Sequence, residues 1–144
     1  MKVSKIISQL ALIAMLFSLH QIAFAYDGLR FIQGQQGPDF TLQYEGAANQ
    51  QLVIRILDAY GQPVFDETMQ STGRVAKKYN LRNLPEGKYT VKVSDATRTS
   101  IQPIYLLDNV VQIDTKAMRT VYKPQIRFHE QLLDINMLSN GEWV

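Results

Sequence analysis

One histidine, one carboxylate and one hydroxyl near the C-terminus have the residue types of a hydrolytic site. His129 is followed by Asp134 and Ser139, and such a set supports nucleophilic catalysis when the three side chains meet. No Gly-x-Ser-x-Gly motif accompanies them, and the three residues crowd into what reads as one short hairpin. A small hydrolase using His129 is therefore the least favoured alternative, and the sequence predicts that the protein is not an enzyme.

The acidic residues and glycines form no recognisable metal or cofactor motif. The adjacent Asp66 and Glu67 would point to opposite faces of a strand, so they cannot act as an acid–base pair. The sequence has no calcium-loop motif, no phosphate-binding glycine loop and no cysteine. Asp58 and Asp95 are expected to cap turns through their side chains. A single weakly held calcium stays an alternative, but the sequence predicts no catalytic residue, no cofactor and no metal site.

The first 25 residues have the three parts of a secretory signal peptide. Lys2 and Lys5 precede an apolar run over residues 6–19, and Ala23 and Ala25 fit the small residues around a signal-peptidase cleavage site. Removing this segment also removes two lysines and no acidic residue, which leaves 13 basic and 13 acidic residues. The chain is therefore predicted to be exported to the periplasm, the cell surface or the medium, with no stable membrane span after cleavage.

Charge and composition narrow the classes of partner. Beyond Lys77 and Lys78 the exported chain contains no basic run, so the sequence predicts no nucleic-acid partner and gives no support for binding to an anionic membrane. Because the chain lacks cysteine, no disulfide framework holds the fold and a packed core must do so. A length of 144 residues is enough for one such domain.

The rest of the sequence is patterned as short strands separated by turns. Period-two alternation is clearest over residues 88–94, where Tyr89, Val91 and Val93 would face inwards. Turn residues recur at the spacing of an all-β sandwich, including a turn expected at residues 46–50. We predict an immunoglobulin-like antiparallel β-sandwich over residues 26–117, followed by a C-terminal extension over residues 118–144. The predicted core comprises Phe40, Leu42, Leu52, Ile54, Ile56, Phe65, Tyr79, Leu81, Leu84, Tyr89, Val91 and Val93.

Residues 52–93 resemble a known family of sorting domains. The matching motifs are Leu57-Asp58-x-x-Gly61-x-x-Val64 and Tyr79-Asn80-Leu81-x-x-Leu84-x-x-Gly87-x-Tyr89-x-Val91-x-Val93. They are similar to the type A C-terminal sorting domain of the type IX secretion pathway and to related small immunoglobulin-like bacterial sandwiches. The resemblance implies an antiparallel sandwich and a role in protein sorting.

The C-terminal residues are similar to the start of the predicted sandwich. Leu29-Arg-Phe-Ile compares with Ile126-Arg-Phe-His129, and Asp39-Phe-Thr-Leu-Gln43 compares with Asp134-Ile-Asn-Met-Leu138. Either this is chance similarity between strands, or residues 118–144 begin a second, truncated sandwich repeat. In the second case they form a hairpin with an apolar face that is available for interaction. Its candidate contact residues are Ile126, Phe128, Ile135, Met137 and Trp143.

These observations predict a non-enzymatic module for binding or assembly at the cell envelope. Its partner would be a protein or a second copy of the chain, bound through a strand edge or the apolar hairpin. A sorting-related domain of the type IX pathway is the alternative. Sorting domains lie at the C-terminus behind a passenger domain, whereas here 49 residues follow Asp95. The expectation is therefore that the resemblance concerns the fold more than a sorting role.

Overall fold

The computed structural model describes residues 28–129 and 132–136. For residues 127–129 and 132–134 it describes the backbone alone. The described residues form β-strands and one short 3₁₀ helix. The predicted signal peptide, with Ala23 and Ala25, lies outside the described residues. The strands are β1 (Gly28–Gln33), β2 (Asp39–Leu57), β3 (Pro63–Asn80), β4 (Gly87–Ser94), β5 (Arg98–Leu107), β6 (Val110–Ile113), β7 (Arg119–Tyr122), β8 (Gln125–His129) and β9 (Leu132–Asn136). A 3₁₀ turn, Thr115–Ala117, lies between β6 and β7.

The first seven strands form one antiparallel sheet, which folds over on itself. The first half of β2 pairs with β1, its second half pairs with β4, and β3 runs along both halves. Strand β5 pairs with β4 on one side and with β6 and β7 on the other. At the far side β1 contacts β6, which closes the two halves over a shared core. The predicted all-β antiparallel fold is confirmed.

Strands β2 and β3 are long and pair along their whole length. The predicted turn at residues 46–50 is wrong, because these residues lie inside β2 and form bulges at the register shifts after Glu45 and Ala48. Asn49 has a φ of 60° there, and Gly73 on the facing part of β3 has a φ of 97°. Left-handed backbone and bulges bend a strand without ending it. The polar and glycine residues therefore mark a bend shared by β2 and β3.

The core lies between the two halves of the folded sheet. Ten of the twelve predicted core residues are buried, while Leu84 is partly buried and packs against them. The prediction for Phe65 is wrong: this side chain is 37% exposed, because it lies where the folded sheet opens. Six further residues belong to the core and were not among the predicted ones: Leu29, Phe31, Tyr44, Ile104, Leu106 and Val111.

The last strands divide between the main sheet and a separate hairpin. Strand β7 pairs with β5, so residues 119–122 belong to the seven-stranded sheet. Strands β8 and β9 pair with each other, and among the described residues neither pairs with the main sheet. The predicted boundary near residue 118 and the predicted truncated repeat stay predictions.

Removing buried volume from the centre of the folded sheet tests this arrangement. Ile54 is fully buried in β2, which has a paired strand on each side. We expect Ile54→Ala to lower the free energy of unfolding by about 2–5 kcal/mol, because the cavity left behind cannot collapse. Ile32→Ala, at a side chain that is 46% exposed, is the control and is expected to cost less than about 1 kcal/mol. Equal losses in urea denaturation would contradict the assigned core.

Candidate protein-binding site

The residues predicted as an alternative hydrolytic site are only partly described. His129 is the last residue of β8 and pairs with Leu132, whereas Asp134 in β9 pairs with Arg127. Ser139 lies outside the described residues, as do Met137 and Trp143 of the predicted interaction hairpin. Among the described residues, no three histidine, cysteine, aspartate or glutamate side chains lie close enough together to hold a metal ion.

Two carboxylates act as turn caps, as the sequence predicts. Asp58 accepts hydrogen bonds from the backbone N–H groups of Tyr60 and Gln62, at 2.9 and 2.8 Å. Asp95 accepts from the backbone N–H groups of Thr97 and Arg98, at 2.8 and 2.9 Å. These bonds satisfy backbone donors in the turns that join β2 to β3 and β4 to β5.

Asp95 also ties distant parts of the chain together. Its side chain is nearly buried and accepts from the Tyr44 hydroxyl at 3.4 Å and from the Arg98 guanidinium at 3.3 Å. Lys123 donates from its Nζ to the Asp95 carbonyl at 2.5 Å, which fixes the segment after β7. Burial alone would raise the pKa of Asp95, but the hydrogen bonds from Thr97 and Arg98 and the charge of Arg98 outweigh it and lower the pKa.

An apolar cleft opens between the two halves of β3, and we call it the β3 cleft. Phe65 and Glu67 come from the first half, Lys77 and Tyr79 from the second, and Leu84 from the following turn. The cleft has a volume of about 430 Å³, which is within the range of natural binding pockets. It exists because the folded sheet brings residues about twelve positions apart on one strand to face each other.

A chain of aromatic rings leads from the core to this cleft. The ring centroids of Phe31 and Phe40 lie 6.1 Å apart, those of Phe40 and Tyr79 5.3 Å, and those of Tyr79 and Phe65 5.3 Å. The last contact is edge-to-face, with an interplanar angle of 80°. Because such contacts restrict the rings, the exposed face of Phe65 is held in a defined position at the mouth of the cleft.

The charged side chains of the cleft are all paired, and Lys78, which also lines the cleft, pairs with Asp39 outside it. Lys77 forms an ion pair with Glu67, and the Tyr79 hydroxyl donates a long hydrogen bond of 3.5 Å to the same carboxylate. Burial first, and then the negative charge of Glu67, raises the pKa of Tyr79 well above its usual value. Tyr79 therefore stays protonated, and the cleft offers an aromatic, overall neutral surface that is suited to binding an apolar side chain.

The β8–β9 hairpin presents a second apolar feature. Ile126 and Ile135 are directly paired across the two strands, and their side chains are 56% and 53% exposed. A two-stranded hairpin is at best marginally stable in water unless its apolar face is covered. The backbone of Phe128 lies in β8, but its side chain is outside the description. The predicted interaction hairpin is therefore present as a hairpin, and its role stays a prediction.

The part of the chain that carries the β3 cleft corresponds to a known family. Residues 38–106 match the secretion system C-terminal sorting domain. The resemblance predicted from the motifs in residues 52–93 is thereby confirmed and extended at both ends. No curated protein and no solved structure gives a significant match.

The family match indicates a protein related to type IX secretion sorting. A sorting domain of this kind implies an exported protein that reaches the cell surface or is secreted. Of the described residues, none lies in a helix that is long and apolar enough to cross a membrane. The folded unit is larger than the matched segment, because Leu29, Phe31 and Val111 lie outside residues 38–106 and yet contribute to the core.

Sequence reasoning did not find the β3 cleft. The alternation that puts Phe65 with Glu67 and Lys77 with Tyr79 is visible in the sequence. The sequence pattern does not indicate that residues 63–80 form one continuous strand, which bends at Gly73. Without that bend, Glu67 and Lys77 would lie on the same strand about 33 Å apart, and no cleft would be predicted.

The titration of Asp95 gives a test of the buried cluster. The pKa of Asp95 is lower in the folded chain than its value of 3.8 in the unfolded chain. The ionised carboxylate therefore stabilises the fold above pH 3.8, and this contribution to the free energy of unfolding is lost as the pH falls below that value. We expect Asp95→Asn to be less stable than wild type by about 1–3 kcal/mol at neutral pH, because the Arg98 guanidinium loses its acceptor. The difference in the free energy of unfolding between wild type and Asp95→Asn, measured by urea denaturation, should become smaller below pH 3.8. Glu86→Gln, at an exposed turn position, is the control, and a pH-independent Asp95→Asn difference would refute the assignment.

Proposed function

We propose that this chain is a non-enzymatic binding module that acts in type IX secretion and recognises a protein partner at the β3 cleft. One observation carries the proposal: within a segment that matches a sorting domain, Phe65 is held at the mouth of an apolar cleft with 37% of its side chain exposed. The outer side of β3 has no paired strand among the described residues. An exposed edge of this kind can accept an added strand from a partner.

The chemistry of the cleft supports recognition over catalysis. Its one carboxylate, Glu67, is neutralised by Lys77, and its one phenol, Tyr79, is held protonated. An extended segment adding to the edge of β3 would form backbone hydrogen bonds, which give affinity for any sequence. An apolar side chain entering beside Phe65 would supply the specificity.

A secretion assay tests this proposal. The exported chain, residues 26–144, is fused behind a reporter protein that carries its own N-terminal signal peptide, in a bacterium that has the type IX pathway. We expect the reporter outside the cell for wild type and a drop of about 30-fold for Phe65→Ser, since losing an aromatic anchor that a partner covers costs at least about 2 kcal/mol of binding. Ile32→Ser is the matched control, because Ile32 is also an exposed apolar side chain but lies on β1.

Two results would count against the proposal. Retention of the wild-type fusion in the periplasm would argue against a sorting role. Equal secretion by wild type and Phe65→Ser would argue against recognition at the β3 cleft. Thermal melting of both variants separates these results from a loss of folding.

A second function is favoured by the exposed pair Ile126 and Ile135. We infer that the β8–β9 hairpin joins two copies of the chain, since among the described residues it pairs only with itself and its two paired isoleucines are over half exposed. Self-assembly at the cell envelope would then accompany recognition at the β3 cleft.

Light scattering on residues 26–144 tests this association. The wild-type chain is expected to be a dimer or larger, and the double variant Ile126→Ser/Ile135→Ser is expected to be a monomer. Val121→Ser is the control, because Val121 is 56% exposed but belongs to β7 of the main sheet. A monomeric wild-type chain would rule out self-association through the hairpin.

A further inference from the structure

Several basic residues that are separated in the sequence lie together on one outer face of the folded sheet. The register places Arg55 beside Lys92 and Ile101 beside Arg119, so one row of the sheet crosses from β2 to β7. Lys88 lies on the same side of β4 as Lys92, four residues away. Lys116 in the 3₁₀ turn lines the same depression as Lys88 and Arg119. We call the surface formed by Lys88, Lys92, Lys116 and Arg119 the basic face.

Among the described residues the four cations of the basic face form no ion pair, and the nearest acidic residue in their depressions is Asp58, which lines one of them with Lys88 and Lys92. Arg55 is paired with Asp66 at 2.7 Å, whereas none of the four residues of the basic face has a salt bridge to another described residue. The outer face of the other half of the sheet is different, because Arg74 pairs with Glu45 and Lys78 pairs with Asp39. The exported chain has no formal net charge by its composition, so the basic face is a local concentration of charge within a balanced protein.

The basic face is broad and two-dimensional. Strands in a sheet lie about 4.8 Å apart, so Lys92 and Arg119 are separated by about 10 Å across the sheet, and Lys88 and Lys92 by about 13 Å along β4. Two shallow depressions of about 400 and 270 Å³ both include Lys88. Pro103 lies between the cations, opposite Thr90, and Tyr105, which is 42% exposed, lies opposite Lys88 at the edge of the basic face.

This arrangement fits an extended anionic surface better than a single acidic peptide. A peptide strand would follow one line and meet only two of the four cations at a time. Lysine is a compact, hydrated point charge that attracts anions without a fixed geometry, and tyrosine is well suited to the boundary between water and lipid. We propose that the basic face docks the exported protein onto the anionic headgroups of a membrane surface, independently of the β3 cleft.

Binding to lipid vesicles tests the proposal. The probe is the exported chain, residues 26–144, because the apolar run of the predicted signal peptide would itself enter a bilayer. Co-sedimentation is measured with vesicles of phosphatidylglycerol and phosphatidylcholine and with vesicles of phosphatidylcholine alone. We expect binding to the anionic vesicles only. Added salt should weaken it, since exposed charges are screened within about 8 Å at physiological ionic strength.

The charge variants show which face is responsible. Each surface cation contributes about fivefold to binding at an anionic membrane, so Lys88→Gln/Lys92→Gln should bind about 30-fold more weakly. Arg74→Gln/Lys78→Gln changes the net charge by the same amount on the opposite outer face, and we expect less than about a threefold change because those cations are already paired. Thermal melting confirms that both double variants fold.

Four outcomes would overturn the proposal. The first is that the wild-type chain does not bind to anionic vesicles. The second is that the two double variants lose the same amount of vesicle binding, which would mean that only the net charge of the protein matters. The third is tight binding of a poly-glutamate peptide without binding to vesicles, which would assign the basic face to an acidic protein partner. The fourth is that millimolar glycerol phosphate releases the protein from the vesicles more than sodium chloride does at the same ionic strength. This result would instead indicate a site for a soluble phosphate compound.

Discussion

The structure depends on β2 and β3 remaining paired while both pass through one bend. If either strand ended at the bend, the two halves of the sheet would be joined only by loops. Because they continue, the hydrogen-bonded ladder itself carries the chain from one half to the other. The bulges at residues 45–50 and the left-handed Gly73 supply the curvature that this requires. The core, the β3 cleft and the separation of the two outer faces all follow from this folding of one sheet.

Buried polar groups hold the remaining connections. Asp95 joins the turn after β4 to Tyr44 in β2, and Lys123 anchors the segment after β7 to the same turn. Gln102 is fully buried in β5 and donates from Nε2 to the Asp114 carbonyl at 2.9 Å, which fixes the loop after β6, while its Oε1 accepts no hydrogen bond from the described residues. Burying such groups without hydrogen-bond partners is costly. These interactions therefore favour the observed pairing of the last strands over other pairings that would bury as much apolar surface but leave the polar groups without partners.

The same bend separates the surfaces that we assign to different tasks. The β3 cleft lies at the open side between the two halves, and the basic face lies on the outside of one half. A partner strand at the cleft and a membrane at the basic face would therefore touch different parts of the sheet. The β8–β9 hairpin follows the main sheet in sequence and, among the described residues, pairs only with itself.

The local sequence determined the strands and most of the core. Alternation of apolar and polar residues was sufficient to predict β4 with Tyr89, Val91 and Val93 buried, because side chains in a strand point to alternate sides whatever the strand packs against. The turn caps at Asp58 and Asp95 were predictable for the same reason, since their hydrogen bonds reach only two to four residues along the chain. The motifs of residues 52–93 also sufficed for the family resemblance.

Only the tertiary structure decided where these elements meet. Glycine and polar residues at positions 46–50 are compatible with a turn or a bulge, and the pairing of β3 along the whole of β2 selected the bulge. The exposure of Phe65, the ion pair of Glu67 with Lys77 and the clustering of Lys88, Lys92 and Arg119 all join residues that are distant in sequence. A sequence pattern records which face of a strand each side chain occupies, but the neighbours on that face are set by strand pairing.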